Sequence, residues 1–200
     1  MNYPGGTKKQ IKTNINYGNR GMTLESDLNE TNNYYLNNNI AVIYKKPTPI
    51  TISNVEYHSR TDAVITKAYF KTPSTTDYNG IYKGKYIDFE AKETKNTTSF
   101  PISNIHKHQL EHLKRIDEHG GIAFLIVRFT KLNLTYFITY KNFEKSLEGK
   151  KSVSLSKFKE LGHIIEDKYN PRVDYLKVID KYKRLGTKYL EIAFNEAINN

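Results

Sequence analysis

Residues 75–92 of the chain read TTDYNGIYKGKYIDFEAK, and this stretch decides the fold. In its second half the apolar residues Ile87, Phe89 and Ala91 alternate with polar ones, which is the two-residue period of a β-strand. One face of this strand is expected to pack against a core. The other face carries the polar and charged side chains, which are those of Tyr86, Asp88, Glu90 and Lys92.

A two-residue turn at Lys83-Gly84 would fold this strand back on residues 77–82 and place Asp77 directly opposite Glu90, with Cβ atoms about 5 Å apart. Two carboxylates this close repel each other unless a cation lies between them, and hard oxygen ligands suit Mg²⁺, with Mn²⁺ as a substitute. Lys92 lies two residues beyond Glu90 on the same face, where it would stabilise charge developing at a phosphate. The pattern predicts metal-assisted phosphodiester hydrolysis, with Asp77, Glu90 and Lys92 as catalytic residues and the two carboxylates as metal ligands.

Two alternatives stay open at this point. The same strand could be an ordinary exposed one whose charges pair with Lys83 and Lys85 across a hairpin. A three-residue turn, or a turn at the competing Asn79-Gly80 signal, would shift the register and move Asp77 to the face opposite Glu90.

Upstream of this stretch the sequence predicts one helix and then strands. A helix is expected from Thr23 to about Leu36, with strands in the segments IAVIYKK (40–46), TPITISNVEY (48–57) and AVITKAYF (63–70). Prolines 47, 49 and 73 punctuate these strands, and proline cannot donate a hydrogen bond within a sheet. The region 47–76 is therefore predicted to be an edge hairpin or a projection, a stalk inserted in the domain.

Downstream, helical spacing runs from Ser103, the expected cap, to His119, and Gly120-Gly121 ends it. The segment GIAFLIVRF (121–129) is apolar on both parities, as expected of a strand covered on both faces, and LTYFITY (134–140) is its expected partner. Two or three short amphipathic helices are expected after residue 140. The order of elements predicts an α/β fold with a mixed central sheet flanked by helices.

The composition of the 200 residues, 38% hydrophobic and 26% charged, predicts a single domain over residues 21–200. The first 20 residues, which are basic and contain no acid, are predicted to be a flexible arm. A formal charge of +10 favours a nucleic-acid partner, although solubilising surface charge is the alternative. The absence of cysteine excludes disulfides, thiolate zinc sites and cysteine nucleophiles, and it suits a reducing cytoplasm. No apolar run predicts export or a membrane span.

Longer strings carry a resemblance to a known family. Asp77 followed by Glu-x-Lys on a strand resembles the signature of the PD-(D/E)xK nucleases. The strings KKPTPI (45–50), AYFKTPSTTDYNG (68–80) and YIDFEAKETK (86–95) resemble the RecU family, over about Tyr17 to Tyr182. The resemblance implies a restriction-endonuclease-like core with a protruding β-hairpin stalk, a homodimer, and magnesium-dependent cleavage of four-way (Holliday) DNA junctions, with recombination proteins as possible partners. It also implies that Asp77 and Glu90 bind the metal and that Lys92 is the catalytic lysine.

Four further residues are expected near this site. Among the acids of the first helix, Glu25 is predicted to face inward and to match the helix glutamate that similar nucleases place at the metal, although the helix dipole alone would favour an acid there. Gln109 lies in the middle of the apolar stripe of the helix after the Glu-x-Lys strand, and it is predicted to support the site. Thr75 and Thr76 could orient Asp77 or Lys92, or could be plain strand residues.

Two other patterns were weighed. The histidines 106, 108, 112 and 119 suggest a zinc site, which is rejected because no HExxH pattern is present and because the histidines are expected on an exposed helix face that needs no ligand role. Basic and aromatic residues in and around the stalk predict DNA contacts, with a solvated edge protected by lysines as the alternative; they are Lys45, Lys46, Arg60, Tyr69 and Phe70. Rival functions are a nuclease for ordinary duplex DNA and a nucleic-acid-binding module without enzymatic activity.

Overall fold

The computed structural model describes residues 23–57, 59, 62–71 and 75–182. The predicted basic arm and Arg60 lie outside these residues. The strands are β1 (Val42–Lys45), β2 (Ile50–Tyr57), β3 (Ala63–Phe70), β4 (Tyr78–Tyr82), β5 (Lys85–Thr94), β6 (Ser99–Pro101), β7 (Ile122–Phe129), β8 (Leu134–Thr139), β9 (Ser152–Ser154) and β10 (His163–Ile165). The helices are α1 (Leu24–Asn37), α2 (Lys107–Glu118), α3 (Tyr140–Leu147), α4 (Leu155–Leu161) and α5, described over residues 175–182.

The centre of the fold is a six-stranded mixed sheet in the order β1-β4-β5-β7-β8-β10. β5 and β7 are parallel and are joined through α2, whereas the other neighbours are antiparallel. Residues 123–127 of β7 are all buried, as the apolar run predicted, because helices cover both faces of the sheet at its middle. The predicted α/β class with a mixed sheet is confirmed.

Two cores lie on opposite faces of this sheet. On one face α1 and α5 pack on aromatic rings, including Phe89, which stacks on Tyr78 at 4.8 Å and on Phe124 at 4.7 Å between ring centroids. On the other face α2, α3 and α4 cover a core that contains Phe143 and Phe158. The burial of each large aromatic side chain adds about 1.5–3 kcal/mol to the free energy of unfolding, because folding removes its apolar surface from water.

The hairpin of β4 and β5 has the register that the two-residue turn predicted. Tyr78 pairs with Phe89 and Tyr82 with Lys85, so the chain reverses at Lys83-Gly84. Both turn residues have positive φ, 48° and 72°, which is the geometry of a hairpin turn whose twist matches that of the strands. The competing signal at Asn79-Gly80 lies inside β4. Gly80 is needed there for another reason, because a Cβ on it would lie 2.1 Å from the carbonyl oxygen of Val42 in β1.

The start of α2 differs from the prediction. Ser103 lies in a short 3-10 turn (Ile102–Asn104), Ile105 is extended, and the helix begins at Lys107 with His106 as its N-cap residue. The backbone N–H of His106 donates to Gln109 Oε1 at 3.0 Å, so the glutamine side chain fixes the beginning of the helix. The predicted end at Gly120, with φ of 79°, is confirmed.

The inserted hairpin of β2 and β3 stands apart from the central sheet. The two strands pair only with each other among the described strands, and every residue in them except Val55 is exposed. A register shift around Ser53 interrupts their ladder. The chain enters this hairpin directly after β1 and leaves it directly before β4, and Lys45 pairs with Tyr78 between those two strands. The hairpin is therefore a protrusion between neighbouring strands, as the prolines predicted.

Among the described residues, no helix combines the length and the apolar character that a membrane crossing needs.

Candidate active site

The candidate site lies where the second half of β5 meets the residue that precedes β4. Glu90 points to the α2 side of the sheet and is fully buried. Three donors hold its carboxylate: Gln109 Nε2 at 2.8 Å and Lys92 Nζ at 2.6 Å on Oε1, and the backbone N–H of Asp77 at 3.1 Å on Oε2. The sequence-predicted Asp77, Glu90, Lys92 and Gln109 are thus brought together.

The surroundings of Glu90 contain less positive charge than its carboxylate and that of Asp77 together would need. Burial raises the pKa of its carboxyl from the ordinary 4.5 to about 8, and the neighbouring Asp77 carboxylate adds to the rise. Lys92 opposes this rise, since its ammonium favours the ionised form. One lysine does not balance two close carboxylates in a desolvated setting, so the site favours a further cation.

A divalent metal fits this donor set. The carboxylates of Asp77 and Glu90 are hard oxygen ligands, and a carboxylate has about four acceptor positions, of which the three donors on Glu90 take three. Among the described residues, no group of three or more histidine, cysteine or acidic side chains could hold a metal. Two carboxylates suffice for Mg²⁺, which keeps several of its waters and is commonly held by one or two protein carboxylates.

A cavity of about 280 Å³ opens beside Asp77 and Lys92, whereas the fully buried Glu90 does not line it. The N-terminus of α1 forms one wall, and the ends of β4 and β5 form the other. Leu24 donates its backbone N–H to Glu93 Oε1 at 2.8 Å, which fixes the beginning of α1 against β5. The residues that line the cavity are Thr23, Leu24, Glu25, Asp77, Tyr78, Ala91, Lys92 and Glu93.

Glu25 was predicted to face inward, but it does not. It lines the cavity, but its side chain is 57% exposed and is paired with Lys45. The inward acid of α1 is Asp27, which is bound by Arg128 at 2.6 Å and by Arg172 at 2.9 Å. Leu36 was counted in the apolar stripe and moved its centre toward Glu25, yet Leu36 is 38% exposed. Without Leu36 the two acids lie equally far from the centre of the stripe, and the two arginines decide which one is buried.

Asp88 is the buried residue that sequence reasoning missed. It lies on the same face of β5 as Glu90 and is fully buried, with Lys46 Nζ at 2.8 Å, the Tyr86 hydroxyl at 3.0 Å and His112 Nε2 at 3.1 Å. Thr76 also donates its hydroxyl to Asp88. The parity of β5 placed Asp88 on the polar face, but no spacing in the sequence distinguishes a buried carboxylate from an exposed one.

Three residues near Asp88 have contacts other than those expected from the sequence. Lys46, predicted to contact DNA, is only 17% exposed and binds the buried Asp88 and Thr76. Thr76, which was expected either to orient Asp77 or Lys92 or to be a plain strand residue, is buried and contacts Asp88. His112 lies against Asp88, although its helix face was expected to be simply exposed.

The remaining predicted residues lie near the surface. Thr75 is half-buried directly before Thr76. Tyr69 and Phe70 are 54% and 84% exposed at the end of β3 that lies nearest the sheet, and the Lys67 ammonium lies 5.5 Å from the centre of the Tyr69 ring. These aromatic side chains are thus available to a partner of the hairpin.

Comparison with known proteins identifies the family of this chain. Residues 19–181 match the family described as RecU, recombination protein U. The Holliday junction resolvase RecU of Bacillus pumilus is 53% identical over 182 residues, which cover 88% of this chain and 88% of that protein. The Holliday junction resolvases RecU of Staphylococcus saprophyticus and Staphylococcus aureus are each 50% identical over 198 residues, covering 90% of this chain and 95% of theirs. A solved structure of Hjc, a Holliday junction resolvase of Archaeoglobus fulgidus, is 14% identical with a TM-score of 0.41, over 70% of this chain and 93% of that one. With most of its length matched by this family and half or more of the aligned residues identical in those relatives, the chain belongs to the RecU family.

Proposed function

We propose that this protein is a divalent-metal-dependent endonuclease that resolves four-way DNA junctions, with Mg²⁺ as the metal and Mn²⁺ able to replace it. The observation that carries the proposal is the buried Glu90 carboxylate, held by Lys92 and Gln109 beside Asp77 in a chain of the RecU family. The relatives named as Holliday junction resolvases support the choice of substrate.

Each residue has a distinct part in the proposed reaction. Asp77 and Glu90 would hold the metal, which when bound supplies Lewis-acid stabilisation of the scissile phosphate and a more acidic water. Gln109 and the Asp77 backbone keep the Glu90 carboxylate oriented toward that position. Lys92, about a quarter exposed, would lie beside the phosphate, where it would balance the negative charge gained as the water attacks.

Other parts of the chain would hold the substrate. Tyr69 and Phe70 of the exposed hairpin would stack on unpaired bases. Lys67 in the same strand and Lys71 directly after it would bind phosphates. The formal charge of +10 would draw the junction to the protein in a salt-dependent way. Two symmetric cuts need two centres related by a two-fold axis, so the active species would be a homodimer. The lack of cysteine suits the cytoplasm, where recombination proteins would act with it.

The test is a cleavage assay on labelled four-way, duplex and single-stranded DNA, with Mg²⁺ or with EDTA. We expect paired cuts in the four-way junction with Mg²⁺ only. Asp77→Asn and Glu90→Gln should lose cleavage while junction binding at fixed salt and the cooperative unfolding transition are kept. Glu111→Gln is the matched control, since it removes one carboxylate from the exposed face of α2 without touching the site.

Two outcomes would contradict the proposal. Equal cutting of ordinary duplex would make the protein a general duplex nuclease of the same chemistry. Binding without cutting under Mg²⁺ or Mn²⁺ would make it a binding module that has the fold without the reaction.

A further inference from the structure

Asp88 is a buried charge that the proposed chemistry does not use. It is fully buried, it binds neither Lys92 nor Gln109, and its side chain contacts the residues Lys46, Thr76, Tyr86 and His112. A carboxylate removed from water in this way strongly destabilises the folded state unless cations and hydrogen-bond donors surround it. The fold keeps this arrangement directly beside Glu90 on the same face of β5.

The contacts of Asp88 reach both ends of the inserted hairpin. Lys46 follows the last residue of β1, where the chain leaves the sheet, and Thr76 is the residue next to Asp77, where the chain returns. Lys46 Nζ also donates to Thr76 Oγ1 at 2.9 Å. The three side chains therefore form a closed set across the base of the hairpin.

The same set fixes the backbone that carries Asp77. The backbone N–H of Lys46 donates to the carbonyl oxygen of Asp77 at 2.7 Å, while its ammonium binds Asp88. Thr76 is held through its hydroxyl on one side of the peptide, and Glu90 Oε2 accepts from the Asp77 N–H on the other. Asp77 lies just outside β4, so these bonds, together with the ladder that begins at Tyr78, decide where its carboxylate points.

We infer that Asp88 is a positioning residue for the metal site: through Lys46 and Thr76 it holds the Asp77 loop in register with Glu90 and closes the base of the hairpin. This inference rests on the proposed function for its link to cleavage, but metal binding tests it separately. Outer groups that orient metal ligands typically contribute 10- to 100-fold to metal affinity or activity. A displacement of about 1 Å at a reacting group has a cost of similar size.

The decisive variants are Asp88→Asn and Thr76→Val. Asp88→Asn keeps the shape but removes the charge that holds Lys46, and Thr76→Val removes one hydroxyl and leaves the Lys46–Asp88 pair in place. Mn²⁺ binding to the DNA-free protein, followed by electron paramagnetic resonance, should weaken about tenfold or more in both. The single-turnover cleavage rate of junction DNA should fall about 10- to 100-fold, while the Kd for the junction in EDTA stays at the wild-type value. Thr76→Ser, which keeps the hydroxyl, should restore both Mn²⁺ affinity and rate.

The matched control is Asp27→Asn. Asp27, like Asp88, is a buried aspartate paired with a cation, but it lies in α1, where it binds Arg128 and Arg172. It should lower the free energy of unfolding as Asp88→Asn does, and it should leave Mn²⁺ affinity unchanged. Should Asp88→Asn fail to fold, the pair Thr76→Val and Thr76→Ser decides the question alone.

The outcomes separate the two proposals. Wild-type Mn²⁺ affinity in both Asp88→Asn and Thr76→Val, or an equal loss in Asp27→Asn, would overturn the positioning role. Mn²⁺ binding that depends on Asp88 in a protein that cuts no four-way junction would support the positioning role and overturn the proposed function. If Asp77→Asn binds Mn²⁺ as the wild type does, the metal site itself is elsewhere and both fail.

Discussion

Glu90 gives the protein a pH-dependent stability that can be measured without DNA. Its pKa is raised to about 8 in the folded chain by burial and by Asp77, against an ordinary 4.5. The folded state therefore binds the Glu90 proton more tightly than the unfolded state does. The stabilising contribution is complete below about pH 4.5 and is lost as the pH rises toward 8, in the absence of divalent ions.

The magnitude follows from the linkage between proton binding and folding. Each pH unit inside this window changes the free energy of unfolding by at most about 1.4 kcal/mol for a single group. Between about pH 5 and about pH 7.5 the upper limit is therefore roughly 3 kcal/mol. For a chain of this size that corresponds to a fall in Tm of roughly 6–12 °C, reduced by whatever water enters the cavity.

The assay compares wild type with Glu90→Gln by urea unfolding in EDTA at both pH values. The amide cannot titrate. The free energy of unfolding that the wild type loses when the pH is raised should therefore exceed the loss of the variant by up to roughly 3 kcal/mol. Other groups titrate alike in both proteins and cancel in the double difference. Mg²⁺ added at the higher pH should stabilise the wild type and have little effect on the variant. Equal losses in the two proteins would refute the view that Glu90 is protonated near neutral pH when no cation is bound.

Three further predictions concern parts of the molecule outside the metal site. Asp27→Ala should lower the free energy of unfolding by about 3–5 kcal/mol, because it removes the nearest carboxylate of two largely buried arginines, whose other carboxylates, Asp167 and Glu30, are each 3.8 Å away; a loss no larger than that of the exposed control Glu111→Ala would contradict this. Phe70→Ala should change the free energy of unfolding by less than about 0.5 kcal/mol and weaken junction binding by about 1–3 kcal/mol; unchanged binding in a fluorescence titration would remove Phe70 from the DNA surface. Gly80→Ala should lower Tm sharply, because its Cβ would lie 2.1 Å from the Val42 carbonyl oxygen; a wild-type melting curve would show that β1 can move aside.

The local periodicity of the sequence was enough to predict the central hairpin. The alternation around Phe89 and the turn residues Lys83-Gly84 act over a few residues, so they predicted the hairpin and the meeting of Asp77 with Glu90, although the competing signal at Asn79-Gly80 left the register open until the structure decided it. The cap of α2 could not be found in this way. Its position depends on Gln109, which binds both the His106 backbone and the buried Glu90, and these bonds join separate parts of the chain.

The burial of charged residues was the other limit of the sequence. Asp27 and Glu25 are both acids near the start of α1, and only the arginines from distant segments decide which one is buried. Lys46 and Lys45 are neighbours of the same type, yet one is bound to a fully buried carboxylate and the other to an exposed one. Spacing within a segment predicts the face of a residue but not its partners.

The hairpin enters and leaves the sheet at a single point, between strands that are already neighbours. Lys45 and Tyr78 face each other across β1 and β4. The chain between them is therefore one long connection between two antiparallel strands that are already paired. A short loop could replace it and leave every other strand pairing of the sheet intact. If the hairpin holds the substrate as proposed, an engineered chain could exchange the part between Lys46 and Thr76 for another DNA-contacting segment, provided that the contacts of these two residues with Asp88 are kept.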